Sequence, residues 1–161
     1  MTPQEYNTSV DEYSDRIYRF VLKSLGDEER AKDVVQDSYE KLWVNVAIIE
    51  YSKAKSWLFS TAYNTMVDII RKDKRLVIGH QPEKEERNYS NNYSDLNEIL
   101  HNYIGKLPDK WRTVLLLRDY EGYSYSEISE ITGQTESQVK INIYRGRMSL
   151  RKMIGKIEIL I

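Results

Sequence analysis

"SYSEISEITGQTESQVKINIYRGRMSLRK", residues 124–152, holds two helix starts, one glycine-bearing turn and a run of cations. Ser124 and Glu127 stand at capping-box spacing, in which each side chain satisfies an orphan backbone N–H of the other residue. Ile128 and Ile131 follow on one helical face, and Gly133 can take the left-handed conformation that stops a helix. Thr135 and Gln138 repeat the capping-box spacing at the next start. A short helix, a glycine turn and a second helix make helix-turn-helix syntax, although the spacing alone fits an ordinary helical hairpin about equally well.

The last helix shifts that balance toward nucleic acid. Val139, Ile143, Leu150 and Ile154 recur at spacings of four and seven, so they are expected to point inward together. Lys140, Tyr144, Arg147 and Arg151 form a second stripe, with Arg145 beside it. A basic stripe opposite an apolar one suits a helix lying against DNA, whose N-terminal residues reach base edges while later cations hold phosphates. Ser137, Gln138, Lys140 and Ile141 are the candidates for reading bases. Gln138 suits adenine, Lys140 guanine and Ile141 a thymine methyl, each good bidentate contact giving roughly 1–3 kcal/mol of discrimination. Arg145, Arg147 and Arg151 are the candidates for phosphate, and Thr135 and Tyr144 complete the duplex-contacting set.

Around this stretch the chain reads as helical throughout. It has 161 residues, 7 glycines and 3 prolines, a scarcity that favours long helices over a turn-rich β fold. No run of about 18 apolar residues could span a bilayer, so no membrane insertion is expected. The opening "MTPQEYNTSVDEYSDR" lacks the basic start and apolar stretch of a secretory signal, which argues against export. Zero cysteines exclude disulfides and thiolate zinc sites and suit a reducing cytoplasm. His80 and His101 stand apart with no metal-ligand spacing, and no phosphate-cradling glycine loop occurs. No catalytic residue, metal or cofactor is therefore expected.

Charge alternates along the chain although the net value is only −1. Residues 1–50 carry six cations against eleven acids, giving −5, and residues 51–75 carry six against two, giving +4. Residues 76–134 come to −4 and residues 135–161 to +4. Solvated helix faces would explain one such run. Two separated basic blocks suggest two contacts with a polyanion, each weakened by the acidic blocks when it acts alone.

Hydrophobic spacing places three amphipathic helices before the basic C-terminal region. Tyr13, Ile17, Phe20, Val21 and Leu25 form one stripe, ended by Gly26. Val34, Val35, Tyr39, Leu42, Trp43 and Val46 form the second, and Trp57, Leu58, Ala62, Met66, Ile69 and Ile70 the third. The stretch "GHQPEKEERNYSNNYSDLN", residues 79–97, is too poor in apolar residues to offset chain entropy and reads as a flexible linker. Periodicity resumes at Ile99, Leu100, Tyr103 and Ile104. Pro108 then marks a helix start and Gly122 a stop. The fold class is thus all-α, two small helical domains joined by a flexible linker, the second containing a helix-turn-helix. The expected boundaries are 1–76, 77–97 and 98–161.

The segment "LPDKWRTVLLLRDYEGYSYSEISEITGQTESQVKINIYRGRMSLRK" resembles the second conserved domain of bacterial RNA polymerase sigma factors of the extracytoplasmic-function (ECF) group. The likeness runs through Arg112, the Val-Leu-Leu-Leu-Arg run, Glu121-Gly122, Ser124-Tyr125, Glu127-Ile128, Gly133, Val139-Lys140, Arg145, Arg147 and Leu150. "AKDVVQDSYEKLW" is similar to the family's polymerase-binding helix, and "KSWLFSTAYNTMVDIIRKDKR" to its promoter-melting helix. Together these motifs cover nearly all of the chain outside the linker and the extreme termini.

The resemblance implies roles for particular residues. Asp33, Gln36 and Asp37 would face the polymerase β′ coiled coil, where carboxylates can pair with arginines; the β flap is the second polymerase contact implied. Asn64 aligns with a base-reading position for the melted minus-ten strand. The loop before Trp57 aligns with a pocket for a flipped base, with Tyr51 and Tyr63 as stacking partners. Lys55, Arg71, Lys72, Lys74 and Arg75 would hold the backbone of that strand, while Trp57 belongs to the apolar stripe. The second domain would read the minus-thirty-five element as duplex DNA. An anti-sigma factor is a further implied partner, and binding to naked promoter is expected to be weak without core polymerase.

Some positions depart from the family pattern. Ser137 stands for a frequent glycine, Asn142 and Tyr63 for frequent arginines, and Gly146 for a frequent alanine. These leave the promoter sequence open. The alternative from the motifs alone is a helix-turn-helix repressor or activator with an N-terminal dimerisation or sensing domain.

Overall fold

A computed structural model describes residues 1–77 and 95–158 of the chain. Seven helices occur among them: α1 (Pro3–Leu25), α2 (Glu28–Val44), α3 (Tyr51–Val77), α4 (Asp95–Lys106), α5 (Asp109–Leu115), α6 (Tyr125–Thr132) and α7 (Glu136–Glu158). α5 runs on into a π-helical segment, Leu116–Tyr120. No strand occurs among the described residues. The chain divides into two compact units, Met1–Arg87 and Asn88–Ile161. Residues 78–94, most of the expected linker, lie outside the described residues, and α4 begins three residues before the expected start of the second domain at 98.

In unit 1 the helix ends are set by local chemistry. Thr2 and Glu5 form a reciprocal capping box, with backbone-to-side-chain bonds of 2.8 and 3.1 Å. Gly26, at φ 70°, donates its N–H to Leu22 O at 2.7 Å and ends α1. Asp27 immediately starts α2 by accepting from the N–H groups of Glu29 and Arg30. This tight junction folds α2 back on α1, and α3 packs against both.

The unit 1 core joins Ile17, Phe20 and Val21 from α1, Ala31, Val34 and Leu42 from α2, and Ala54, Leu58, Phe59, Ala62 and Met66 from α3. Phe20 and Phe59 meet ring to ring at 5.6 Å. Full burial of one such side chain stabilises by about 1.5–3 kcal/mol. Phe59 lies outside the expected stripe. α3 has helices on two flanks, so its buried arc is wider than one face and includes the residue after Leu58.

Two tryptophans differ from expectation. Trp43 is 51% exposed, its ring edge-on to Tyr6 at 5.1 Å, because the inward arc of α2 ends at Leu42. Trp57 is half-buried rather than fully enclosed. Among the polar ties, the Tyr39 hydroxyl donates to Ser9 O at 2.7 Å, and burial raises the pKa of this phenol.

Unit 2 packs α7 against α4, α5 and α6 around Ile104, Leu107, Val114–Leu117, Ile128, Ile131, Val139 and Ile143. Arg112 is only 3% exposed. Its Nη1 donates to Gly105 O and Leu107 O at 3.3 and 3.2 Å, and its Nη2 pairs with the Asp109 carboxylate. One guanidinium thereby satisfies carbonyls at the end of α4 and fixes the α4–α5 corner. Beyond the π segment, Glu121 N donates to Leu116 O and Tyr123 N to Leu117 O, and Gly122 supplies φ 73° for the reversal. The sequence located this stop but carried no sign of the π widening.

The inward stripe of α7 is shorter than its spacing suggests. Val139 and Ile143 are buried, Leu150 is half-buried and Ile154 is 40% exposed. α7 is 23 residues long, roughly 35 Å. α5 and α6 have 7 and 8 residues, too few to cover its last turns.

Candidate nucleic-acid and polymerase interfaces

The helix-turn-helix of unit 2 is built by side chains that satisfy its turn. Ser124 and Glu127 cap α6 reciprocally at 3.1 Å each way. Gly133, at φ 74°, ends α6 by donating to Ser129 O. Ser129 Oγ donates to Gln134 O at 2.6 Å, and Asn142 Nδ2 donates to Gln134 Oε1 at 3.0 Å. Asn142, buried on α7, therefore ties the turn to the recognition helix. Its polar side chain at the edge of the apolar stripe was the available signal, but nothing in the spacing pointed to its partner.

Thr135 and Gln138 form the second capping box, at 3.0 and 3.2 Å. Gln138 Oε1, an atom that adenine pairing would use, already accepts the Thr135 N–H. Thr135, Ser137, Gln138, Lys140, Ile141, Tyr144, Arg145, Arg147 and Arg151 are all exposed, and Tyr144 is 65% so. At 3.6 residues per turn, Ser137, Lys140, Ile141, Tyr144, Arg147 and Arg151 share an arc of about 120°. Val139, Asn142, Ile143 and Gly146 are the buried residues opposite it.

Two cations of this face are engaged within unit 2. Lys140 Nζ lies 5.5 Å from the Tyr125 ring centroid, and the Arg118 guanidinium lies over the same ring at 4.5 Å. Arg147 makes a two-pronged pair with Asp119, Nε to Oδ2 at 3.1 Å and Nη2 to Oδ1 at 2.5 Å. The hydrogen bond to Asp119 raises the pKa of the Arg147 guanidinium. Arg145 and Arg151 have no hydrogen bond or ion pair among the described residues.

On unit 1, Asn64, Arg71, Lys72, Lys74 and Arg75 of α3 are exposed, whereas Lys55 and Tyr63 are half-buried. Asp73, the one acid among those last cations, accepts from Arg30 Nη1 of α2 at 2.5 Å. Tyr51 is tied to α1, its hydroxyl donating to Glu12 Oε2 at 3.0 Å. That hydrogen bond, helped by desolvation and the Glu12 charge, pushes the Tyr51 pKa up to about 12.

Asp33 and Gln36 are exposed on α2, with Gln36 Nε2 donating to Glu40 Oε1 at 3.3 Å. Asp37 is half-buried and accepts from Lys41 Nζ at 2.9 Å. At the end of the same helix and in the turn after it, Trp43, Val44 and Ile48 are exposed apolar side chains that spacing did not mark as a group. Trp43 and Val44 are adjacent, so one of them had to leave a narrow stripe; that was the available signal.

Among the described residues no helix is long and apolar enough to cross a membrane, and no cluster of His, Asp and Glu is arranged to hold a metal ion.

Comparison with known proteins agrees with this division. Residues 10–76 match the family described as Sigma-70 region 2, and residues 97–150 that described as Sigma-70, region 4. The ECF RNA polymerase sigma factor SigW of Bacillus subtilis is 32% identical over 161 residues, covering 90% of this chain and 86% of SigW. SigM of the same organism is 28% identical over 150 residues, covering 89% of this chain and 91% of SigM. The sigma factor RpoE of Bartonella quintana, solved in complex with the anti-sigma factor NepR, shares the fold. It aligns with a TM-score of 0.82 at 22% identity, over 94% of this chain and 98% of that one.

The chain belongs to the ECF group of RNA polymerase sigma factors in the sigma-70 family. It directs promoter recognition and transcription initiation. A region 2 match ahead of the helix-turn-helix disfavours the repressor or activator alternative.

Proposed function

We propose that residues 1–76 bind core polymerase and hold the melted minus-ten strand, that 77–97 act as a linker, and that 98–161 read the minus-thirty-five element as duplex. The observation that carries this reading is the exposed arc of α7, held outward by buried Val139 and Ile143 and by both capping boxes. Lys140 and Ile141 reach base edges from the first turns, with Thr135, Ser137 and Gln138 beside them. Tyr144, Arg145, Arg147 and Arg151 follow the phosphates.

On unit 1 the exposed cations Arg71, Lys72, Lys74 and Arg75 hold the single strand, and Asn64 reads a base. Tyr51, Tyr63 and Lys55 flank that path. Asp33 and Gln36, with Asp37 behind them, present acceptors to arginines of the β′ coiled coil. The role is non-catalytic and needs no cofactor, because the protein supplies only positioning and charge to the polymerase's chemistry. It is exercised in the bacterial cytoplasm, under an anti-sigma factor that covers these surfaces.

Run-off transcription with purified core polymerase on a promoter library tests the whole reading. Initiation from a subset of promoters sharing two spaced elements is the expected result. Tight sequence-specific binding by the chain alone, with no stimulation of polymerase, would overturn it.

A further inference from the structure

Asp119 sits in the π-helical segment and reaches Arg147 on α7 with both carboxylate oxygens. The two parallel N–H···O bonds are the fork geometry with which a guanidinium also takes a phosphate. Both side chains remain partly open to water, at 49% exposed for Arg147 and 36% for Asp119, so an incoming anion can compete for the site. The neighbouring Arg118 does not neutralise Asp119 in Arg147's place, since its Nη1 donates to Tyr123 O at 2.8 Å and its guanidinium covers the Tyr125 ring. Arg147 shares its arc with Lys140, Tyr144 and Arg151, the side from which a duplex would approach.

We propose that Asp119 is an internal stand-in for phosphate, occupying Arg147 in the free protein and lowering the affinity of unit 2 for any duplex. This rests on reading unit 2 as the duplex-binding unit. It gives a residue-level reason for weak binding to naked DNA: one cation of the recognition helix is already neutralised, and a phosphate gains it only by displacing a carboxylate. Tight engagement then depends on contacts made elsewhere in the polymerase-bound protein.

The test is fluorescence anisotropy of the full chain on a random duplex across a potassium chloride series, repeated with core polymerase on a promoter that the wild type transcribes. Asp119→Asn is expected to tighten random-duplex binding about two- to fivefold, the span set by an exposed ion pair. The plot of log affinity against log salt should steepen by about 0.9, the value of one added phosphate contact. Asp119→Glu should restore wild-type behaviour, and in an Arg147→Gln background Asp119→Asn should gain nothing.

An unchanged affinity and slope for Asp119→Asn, or a gain that persists without Arg147, would overturn the proposal while promoter-directed transcription by the wild type leaves the broader reading standing. Absence of salt-dependent duplex binding by the wild type in both formats would remove both.

Discussion

The two units reach stability by different routes. Unit 1 lays three helices of 23, 17 and 27 residues against one another, and its core is a continuous set of apolar side chains contributed by all three. Unit 2 uses helices as short as 7 and 8 residues, lengths that are marginal in isolation. It compensates with specific polar devices: the Arg112 corner, two capping boxes and the Asn142–Gln134 tie. Loss of an exposed ion pair in unit 1 should therefore cost less than loss of the buried Arg112 corner in unit 2.

The largest expected effect tests that contrast directly. Arg112→Ala strands carbonyls at the end of α4 and removes a buried ion-pair partner, a change that costs about 3 kcal/mol, near the low end for buried pairs because Asp109 stays partly exposed. Arg30→Ala breaks the Arg30–Asp73 pair, whose members are 45% and 46% exposed, and should cost under about 1 kcal/mol. Urea unfolding can separate the units, because Trp111 belongs to unit 2 while Trp43 and Trp57 belong to unit 1. With Trp43 and Trp57 replaced by Phe, the fluorescence of Trp111 reports unit 2 alone, and with Trp111 replaced by Phe, Trp43 and Trp57 report unit 1. Equal losses from the two arginine variants would break the comparison.

The same contrast explains what could be read from the sequence. Gly26, Gly133, Ser124 with Glu127 and Thr135 with Gln138 were readable because capping is decided within four residues. The stripe of α1 was readable because one face of a long helix meets one core; that of α3 was readable in part, since its two flanking helices also bury Phe59. The exposure of Trp43 was not, since it depends on where the arc of α2 meets its neighbours. Nor were the partners of Arg147 and Tyr51, which come from 28 and 39 residues away along the chain. Spacing put both residues among the candidate contacts; only the fold shows each already held by an acid from another helical segment.

A smaller effect sharpens the picture of α7. Gly146 is buried against α5, and a Cβ there would meet Trp111 Cβ and O at 3.5 Å and Leu115 Cβ at 3.9 Å, all ordinary contact distances. Gly146→Ala should therefore fit, and relief of the glycine's helical penalty should stabilise unit 2 by about 1 kcal/mol. The Trp111 transition should move to higher urea with an unchanged slope. Destabilisation instead would mean that α5 and α7 pack more tightly than these distances allow, and that unit 2 has less slack than unit 1.

The smallest effect concerns a tie in unit 1 that, like Arg147–Asp119, holds a candidate DNA-contacting side chain on an acid. Tyr51 donates to Glu12 and keeps its proton until about pH 12, against 10.0 for an ordinary phenol. Because the folded pKa is the higher one, this tie supports the fold fully below about pH 10 and is lost as pH rises through about 12. Glu12→Gln keeps an acceptor but removes the charge, so the last part of the tyrosinate absorbance rise should move to lower pH than in the wild type. Tyr13, whose pKa is also raised, first by burial and then by Glu12, should shift in the same direction. Asp119→Asn should instead lower the raised pKa of Tyr120, which burial and then the Asp119 charge push up, and leave Tyr51 where it is. If Glu12→Gln leaves that last part of the rise unmoved, Tyr51 is free to stack on a base without first leaving an acid. The parallel between the two units would then be confined to their charge.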